Sequence, residues 1–211
     1  MPEQDRANAL LQQGIERAKS GKIDEALRLF DEALEVVPEN PVVNYNRGLA
    51  QQQVGSIEAA IVAYRAATEV LPNFTEAWIN LSQALNLLGR YTAALDAAEK
   101  AVQLNPNQSS AWLAKGNALR GLHALGEAAD AFRQGVEVAP ADGQLKVSLA
   151  NTTRELGQVP EAIQLLREAV GGHPEFPEAH RDLAHALLLN GEYREGWVEN
   201  RWRWGTGSLQ D

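Results

Sequence analysis

The 211-residue sequence contains no cysteine, which excludes disulfide bonds, thiolate metal sites and a cysteine nucleophile. Its longest unbroken apolar run, residues 59–64, is far shorter than the ~20 apolar residues that a membrane-spanning helix requires. Basic residues are also few, with 19 Lys and Arg against 28 Asp and Glu, and the resulting net charge of −9 disfavours broad binding to nucleic acid. The sequence therefore predicts a cytoplasmic protein with neither a nucleic-acid partner nor a membrane-inserted segment.

Motifs for catalysis and cofactor binding are missing as well. The phosphate-binding pattern G-x-x-x-x-G-K-[ST] is not present. Of the four histidines, His180 and His185 are five residues apart, whereas two metal ligands on one helical face would be three or four apart. We therefore predict a chain that is not an enzyme and that takes no metal ion and no cofactor.

The sequence that remains is a repeat with a period of 34 residues. Proline, alanine and glycine each keep their own column, and the glycine column departs from glycine once, at His123. The prolines are Pro38, Pro72, Pro106, Pro140 and Pro174; the alanines are Ala26, Ala60, Ala94, Ala128 and Ala162; the glycines are Gly21, Gly55, Gly89, Gly157 and Gly191. So many columns in register indicate an array of equivalent structural units.

Each period is typical of two helices. In the third period we predict helices over Thr75–Leu88 and Tyr91–Leu104, separated by Gly89 and followed by Pro106. Glycine tolerates the left-handed backbone at which helices end, and proline cannot continue a helix. Repeats then start near residues 7, 41, 75, 109, 143 and 177. One helix pair cannot bury its apolar face alone, so consecutive pairs must stack.

These columns resemble the tetratricopeptide repeat (TPR), a helix–turn–helix unit of 34 residues. The resemblance implies an all-α fold: a right-handed superhelical solenoid of antiparallel helix pairs with about a dozen helices. It implies five full repeats and a sixth, incomplete repeat, all within one domain over residues 1–204, followed by a C-terminal tail over residues 205–211.

Two segments also resemble the repeats of O-linked N-acetylglucosamine transferases, namely Phe74–Leu81 (FTEAWINL) and Phe176–His185 (FPEAHRDLAH). The ending Leu189–Trp197 (LNGEYREGW), with RWRW at 201–204, is similar to the last repeat of bacterial TPR–glycosyltransferase proteins. Since no large sugar-nucleotide domain follows Asp211, we expect no transferase activity from this chain.

The TPR resemblance implies that the first helix of each repeat lines a concave groove. The resemblance to the transferases implies that an asparagine ladder, matched here by Asn46 and Asn80, holds an extended peptide. Side-chain amides carry both donors and acceptors and can pair with any peptide backbone. Two arginines 34 residues apart, Arg120 and Arg154, would grip an acidic or phosphorylated residue. The predicted groove residues are Tyr45, Asn46, Ile79, Asn80, Gln83, Leu113, Asn117, Arg120, Asn151 and Arg154.

The simpler alternative is that these amides are only solvated, and that the arginines form a solvated pair with Glu155 as a partner. The predicted function is a non-catalytic scaffold that binds a peptide or partner protein. The alternatives are the substrate-recruitment arm of a larger glycosyltransferase-type enzyme and a module that assembles into a homo-oligomer.

The C-terminal end has its own pattern. On a helix that continues from Tyr193, the side chains of Tyr193, Trp197 and Trp204 share one face, and those of Val198 and Trp202 lie roughly opposite. We expect Trp197 to seal the last repeat, and Val198 and Trp202 to form an interface with a second subunit or another domain. The alternative is that Trp202 folds back onto the preceding helices.

Overall fold

The computed structural model describes residues 2–204, and within them the chain is helical throughout, without strands. The helices are α1 (Glu3–Lys19), α2 (Ile23–Val36), α3 (Pro41–Gln53), α4 (Ile57–Val70), α5 (Thr75–Leu87), α6 (Tyr91–Leu104), α7 (Ser109–Gly121), α8 (Leu125–Val138), α9 (Gly143–Glu155), α10 (Val159–Gly172), α11 (Pro177–Leu189) and α12 (Tyr193–Glu199), followed by a 3₁₀ helix (Asn200–Trp204). The predicted tail, 205–211, lies outside the described residues.

The 34-residue period predicts the helix boundaries closely. The first helices of repeats two to six begin at residues 41, 75, 109, 143 and 177, as expected from the sequence. In the third repeat, the predicted end at Leu88 is one residue late, because α5 ends at Leu87. The first repeat differs more: α1 begins at Glu3, one helical turn before the predicted start at residue 7.

The helices group into two compact units, one ending at Asn105 and one beginning at Pro106. In the first unit α1 packs on α2, α3 on α4 and α5 on α6, and each pair contacts the next through α2–α3 and α4–α5. The second unit repeats this order with α7–α8, α9–α10 and α11–α12, joined through α8–α9 and α10–α11. Consecutive helix pairs of this kind confirm the predicted repeat fold.

A glycine facing an aromatic ring closes the helix pair in three repeats. A Cβ atom built on Gly116 would lie 2.3 Å from the nearest ring carbon of Phe132, and one on Gly48 would lie 2.5 Å from the ring of Tyr64. The first repeat shows the same arrangement, with 2.4 Å between such a Cβ on Gly14 and the ring of Phe30. The rings of Phe132 and Tyr64 are fully buried. In these three repeats the glycine of the small column therefore admits a ring from the second helix.

The turn within each repeat requires a left-handed residue. Glycine occupies this position in five repeats, with φ between 70° and 82°, as at Gly89 and Gly157. In the fourth repeat His123 takes the same conformation, with φ of 60°. For L-residues other than glycine this conformation is strained, because Cβ is repelled by the backbone.

A side-chain N–H closes the loop between repeats. The indole of Trp78 donates to the carbonyl of Pro72 at 2.9 Å, and Trp112 donates to the carbonyl of Pro106 at 2.8 Å. In the sixth repeat His180 Nε2 lies 2.8 Å from the carbonyl of Pro174. Three positions in one 34-residue column thus make the same contact, whereas Asn44 and Lys146, in the same column, bond to Asn40 and Glu168 instead.

Candidate functional site

In the first unit, the predicted groove residues of α3 and α5 lie side by side. Asn80 donates from Nδ2 to the hydroxyl of Tyr45 at 3.1 Å. The Tyr45 ring in turn packs against Phe74, with 4.8 Å between ring centroids. Burial raises the pKa of Tyr45, and the hydrogen bond from Asn80 opposes that rise. The side chains of Asn80 and Tyr45 form one fixed polar pair rather than two independent contacts for a ligand.

The other members of this face differ in what they can offer to a ligand. Asn46 donates to the carbonyl of Val42 in its own helix at 2.8 Å, and its side-chain oxygen is not used in that bond. Gln83 is half-buried, whereas Ile79 is only 4% exposed and therefore presents little area to a partner. We name Tyr45, Asn46, Asn80 and Gln83 the amide surface.

In the second unit, α9 and α11 share a polar network. Asn151 donates from Nδ2 to Asp182 Oδ2 at 2.6 Å, and its Oδ1 accepts from Arg154 at 3.1 Å. Arg154 also contacts His185 Nδ1. The suggested pairing of Arg154 with Glu155 is not found: the guanidinium bonds to Asn151 on its own helix and contacts His185 on α11.

Asp182 belongs to the sequence column of Asn46 and Asn80, and His185 to that of Gln83, Asn117 and Asn151, although neither was assigned a binding role. Both contacts join residues 31 positions apart, which is one repeat less one helical turn. The signal was present in the sequence as two polar pairs with matching i, i+3 spacing, Asn151 with Arg154 and Asp182 with His185, on neighbouring first helices.

The predicted residues of α7 are less constrained. Leu113, Asn117 and Arg120 are all half-buried. The side chains of Asn117 and Arg120 form no hydrogen bond and no ion pair with any of residues 2–204. The helices α7 and α9 contact each other, and Asn117 and Arg120 occupy on α7 the positions that Asn151 and Arg154 occupy on α9, one 34-residue period later. We name Asn117, Arg120, Asn151 and Arg154 the arginine surface.

Models of one repeat family match most of the chain. The tetratricopeptide repeat model matches residues 45–109 and 88–143, a TPR repeat model matches residues 14–55, and a further tetratricopeptide repeat model matches residues 153–196. The chain belongs to the tetratricopeptide repeat family. No curated protein sequence matches it.

Solved structures of other TPR proteins share the fold. PilF from Pseudomonas aeruginosa is 17% identical and has a TM-score of 0.81, with 99% of this chain and 96% of that chain covered. TTC0263, a thermophilic TPR protein of Thermus thermophilus, is 23% identical with a TM-score of 0.70, covering 87% of this chain and 100% of that one. YrrB, a TPR protein with an unusual peptide-binding site, is 20% identical with a TM-score of 0.68, covering 81% and 88%.

The C-terminal end of this TPR chain differs from the expected arrangement. The helix does not continue to residue 204, because α12 ends at Glu199 and a 3₁₀ helix follows. Trp202 is half-buried and stacks on His180, with 4.2 Å between ring centroids and an interplanar angle of 10°. Trp197, which we expected to seal the repeat, is instead 61% exposed.

The two residues predicted to form an interface, Val198 and Trp202, differ in their exposure. Val198 is 48% exposed, as an interface residue should be, while Trp202 lies against the preceding helices. The carboxylate of Glu199, the last residue of α12, also contacts His180, with 2.5 Å between Oε2 and Nδ1. The side chain of Trp204, which was placed on the sealing face, lies outside the described residues.

Two further findings concern classes of site. Among residues 2–204 there is no group of three or more His, Asp or Glu side chains placed to hold a metal ion. Over the same part of the chain, none of the helices combines the length and the apolar character needed to cross a bilayer.

Proposed function

We propose that this TPR protein is a non-catalytic scaffold that binds an extended peptide or partner segment through its first helices. TPR proteins mediate protein interactions, and the fold is shared with YrrB, whose peptide-binding site has been described as unusual. The binding residues we assign belong to two surfaces, one in each unit: the amide surface and the arginine surface.

The observation that carries the proposal is the contrast within the arginine surface. Asn151 and Arg154 are held by hydrogen bonds to each other and by contacts with α11. Asn117 and Arg120, on the contacting helix α7, have donors without a partner among residues 2–204. A ligand that pairs with these donors therefore meets a neighbour that is already ordered, which lowers the entropy cost of binding.

The chemistry of this surface favours a peptide with an acidic residue. Arg120 offers a planar set of donors suited to a carboxylate or a phosphate group. Asn117 lies three residues earlier on the same helix face and offers an amide donor and acceptor, which suits a peptide carbonyl and N–H. Because Arg154 already contacts His185 and Asn151, Arg120 is the arginine that we expect to bind the acidic group.

The amide surface has a supporting role in this proposal. Its Asn80–Tyr45 pair orients one amide, whose oxygen is not used in that bond, toward an incoming backbone N–H. Gln83 lies on the same helix, about one turn further along. This surface lacks arginine and is therefore expected to contribute affinity without selecting for charge.

The test starts from a random peptide library selected on the 211-residue protein, with affinities measured by fluorescence anisotropy. We expect selected peptides to carry Asp, Glu or phosphoserine, and Arg120→Gln to weaken binding by about tenfold, since a hydrogen bond to a charged group contributes ~1.5–3 kcal/mol. Arg65→Gln is the matched control, because Arg65 is exposed on α4, a second helix of a repeat. Equal losses from both variants, or no loss from Arg120→Gln, would show that the arginine surface is not the binding site.

The transferase-like role and the cytoplasmic location stay predictions from the sequence. Peptides that carry acceptor serines but bind the protein independently of Arg120 would favour a recruitment arm over the scaffold proposed here.

A further inference from the structure

The outer face of α12 exposes two aromatic side chains one helical turn apart. Tyr193 is 63% exposed and Trp197 is 61% exposed. The helix cannot rotate to bury them, because Gly196 is the residue that faces α11: a Cβ atom on it would lie 2.9 Å from the side chain of Leu188. The orientation of α12 is fixed by this contact, and the aromatic face is left uncovered.

The same helix face is covered earlier in the second unit. The residue 34 positions before Trp197 is Ile163, which is 3% exposed, and the residue 68 positions before it is Ala129, which is 1% exposed. The residue equivalent to Tyr193 is Val159, which packs against the cluster that contains Ile163. The column that contains Trp197 is therefore buried in α8 and α10 and exposed in α12.

The first helix of the next repeat is what covers α10. Ile163 belongs to one apolar cluster with residues of α11, and these lie at positions i, i+4, i+7 and i+8 of that helix, forming a single stripe. The stripe consists of Ala179, Leu183, Ala186 and Leu187. Two of the four are alanine, which lets the two helices approach closely.

We propose that the outer face of α12, formed by Tyr193 and Trp197, binds an amphipathic helix of another protein. That helix carries alanine or another small residue at positions i and i+7 and leucine at i+4 and i+8. The small residues are required more strictly than on α10, because tryptophan and tyrosine are larger than the Ile163 and Val159 that they replace. Exposed aromatic residues of this kind are also those most enriched at protein interfaces.

The electrostatics beside this face permit such docking. Arg167 on α10 donates to Glu192 at 2.8 Å and to Glu195 at 2.6 Å. One guanidinium thus offsets one of the two carboxylate charges next to the aromatic pair, and the same contacts tie α12 to α10. The approaching helix therefore meets one uncompensated negative charge at this edge, instead of the two that the carboxylates alone would present.

A second copy of the chain does not offer this stripe on a free surface, because its own α11 stripe is already buried against its α10 and its N-terminal helix lacks the pattern. In α1 the positions equivalent to Leu183, Ala186 and Leu187 are occupied by Gln13, Glu16 and Arg17, all of them exposed. Packing these side chains on Trp197 would bury charged groups without partners, which is costly. The N-terminal helix of another copy therefore fits poorly, and a helix from a different protein is the occupant that the register favours.

The experiment uses the 211-residue protein and two fluorescein-labelled peptides. The first has the α11 sequence, residues 177–189, with a hydrocarbon staple replacing the exposed Arg181 and His185 to hold it helical. The second has the equivalent residues 7–19 of α1 with the same staple. By anisotropy we expect saturable binding of the first peptide only, weakened at least tenfold by Trp197→Gln.

Leu87→Gln is the matched control, because Leu87 is an apolar side chain of α5 that is 66% exposed. Binding of both peptides alike, no saturable binding of the α11 peptide, or equal loss from Trp197→Gln and Leu87→Gln would each overturn the proposal. Light scattering gives a separate check: a dimer that Trp197→Gln dissociates would show that a second copy occupies this face, and the proposal would be wrong.

Discussion

Replacing Gly116 by alanine tests how the helix pairs of this repeat protein close. The added Cβ would lie 2.3, 2.5 and 2.7 Å from Cε1, Cδ1 and Cζ of Phe132, where ordinary contacts lie at 3.4–4 Å. The ring must therefore retreat by about 1 Å. Phe132 is fully buried, so it has no open space into which it can move.

Two opposing terms set the size of the effect. Alanine is favoured over glycine in a helix interior by ~1 kcal/mol. Overpacking a close-packed core costs ~1–3 kcal/mol, and a rigid ring that must move about 1 Å belongs at the upper end. We expect Gly116→Ala to lower the free energy of unfolding by about 2 kcal/mol.

In another repeat of the same chain, a larger residue in place of the glycine is matched by a smaller residue in place of the ring. In the fifth repeat the equivalent positions hold Ala150 and Leu166, both fully buried. We therefore expect Phe132→Leu to rescue Gly116→Ala, so that the double variant is about 2 kcal/mol more stable than the sum of the two single effects predicts. Such coupling is typical of side chains in direct contact.

Urea unfolding followed by far-ultraviolet circular dichroism measures all three variants, with transition midpoints and slopes compared because long repeat arrays can lose cooperativity. Gly126→Ala is the control: a Cβ on Gly126 in α8 meets nothing within 4 Å, so this variant should be neutral or slightly stabilised. The steric reasoning fails if Gly116→Ala behaves like Gly126→Ala, or if the double variant is simply additive.

The remaining predictions concern single positions. His123→Gly should stabilise the protein by about 1 kcal/mol in urea unfolding, because glycine relieves the left-handed strain at φ 60°. Gly157→Ala, at φ 82°, should destabilise the protein. The opposite order of the two stabilities would refute the strain argument. Burial raises the pKa of Tyr64, so the folded state keeps a phenol proton that the unfolded chain releases near pH 10. Stability should therefore be complete below pH 10 and fall above it, and the unfolding midpoint of Tyr64→Phe should fall less; an equal fall in both proteins would contradict this. Trp112→Phe removes the donor to the Pro106 carbonyl and should cost about 1 kcal/mol, with an unchanged midpoint as the refuting result.

The repeat architecture could be predicted from the sequence because its marks are local. A proline column and a left-handed glycine column each act over a few residues, and the small–aromatic pairing acts within one helix pair. These marks recur often enough that one departure, His123, does not disturb the register. The family assignment and the starts of α3, α5, α7, α9 and α11 follow from these columns.

The two surfaces could be predicted only in part. Helical spacing places Asn151 and Arg154 on one face, but their contacts with Asp182 and His185 depend on how far α11 is shifted along α9, which periodicity does not specify. Which amides are already bonded within the protein is decided by the same tertiary geometry.

At the C-terminal end the helical wheel separated Trp197 from Trp202 but gave the two side chains the wrong roles. It placed them on roughly opposite faces, and the sequence did not show which face packs on α11. Gly196 is the residue that faces α11, so Trp197 is exposed. Trp202, in the 3₁₀ helix that follows Glu199, stacks on His180.

The glycine–aromatic contact also determines which parts of this gene can be exchanged in recombination. If α9 were paired with α8, the methyl group of Ala150 would collide with the ring of Phe132. If α7 were paired with α10, Gly116 would leave a void beside Leu166. The helix pair is thus the smallest piece that can be duplicated or shuffled intact. A crossover within the turn between two paired helices separates partners that were selected together, while one at the proline between repeats does not.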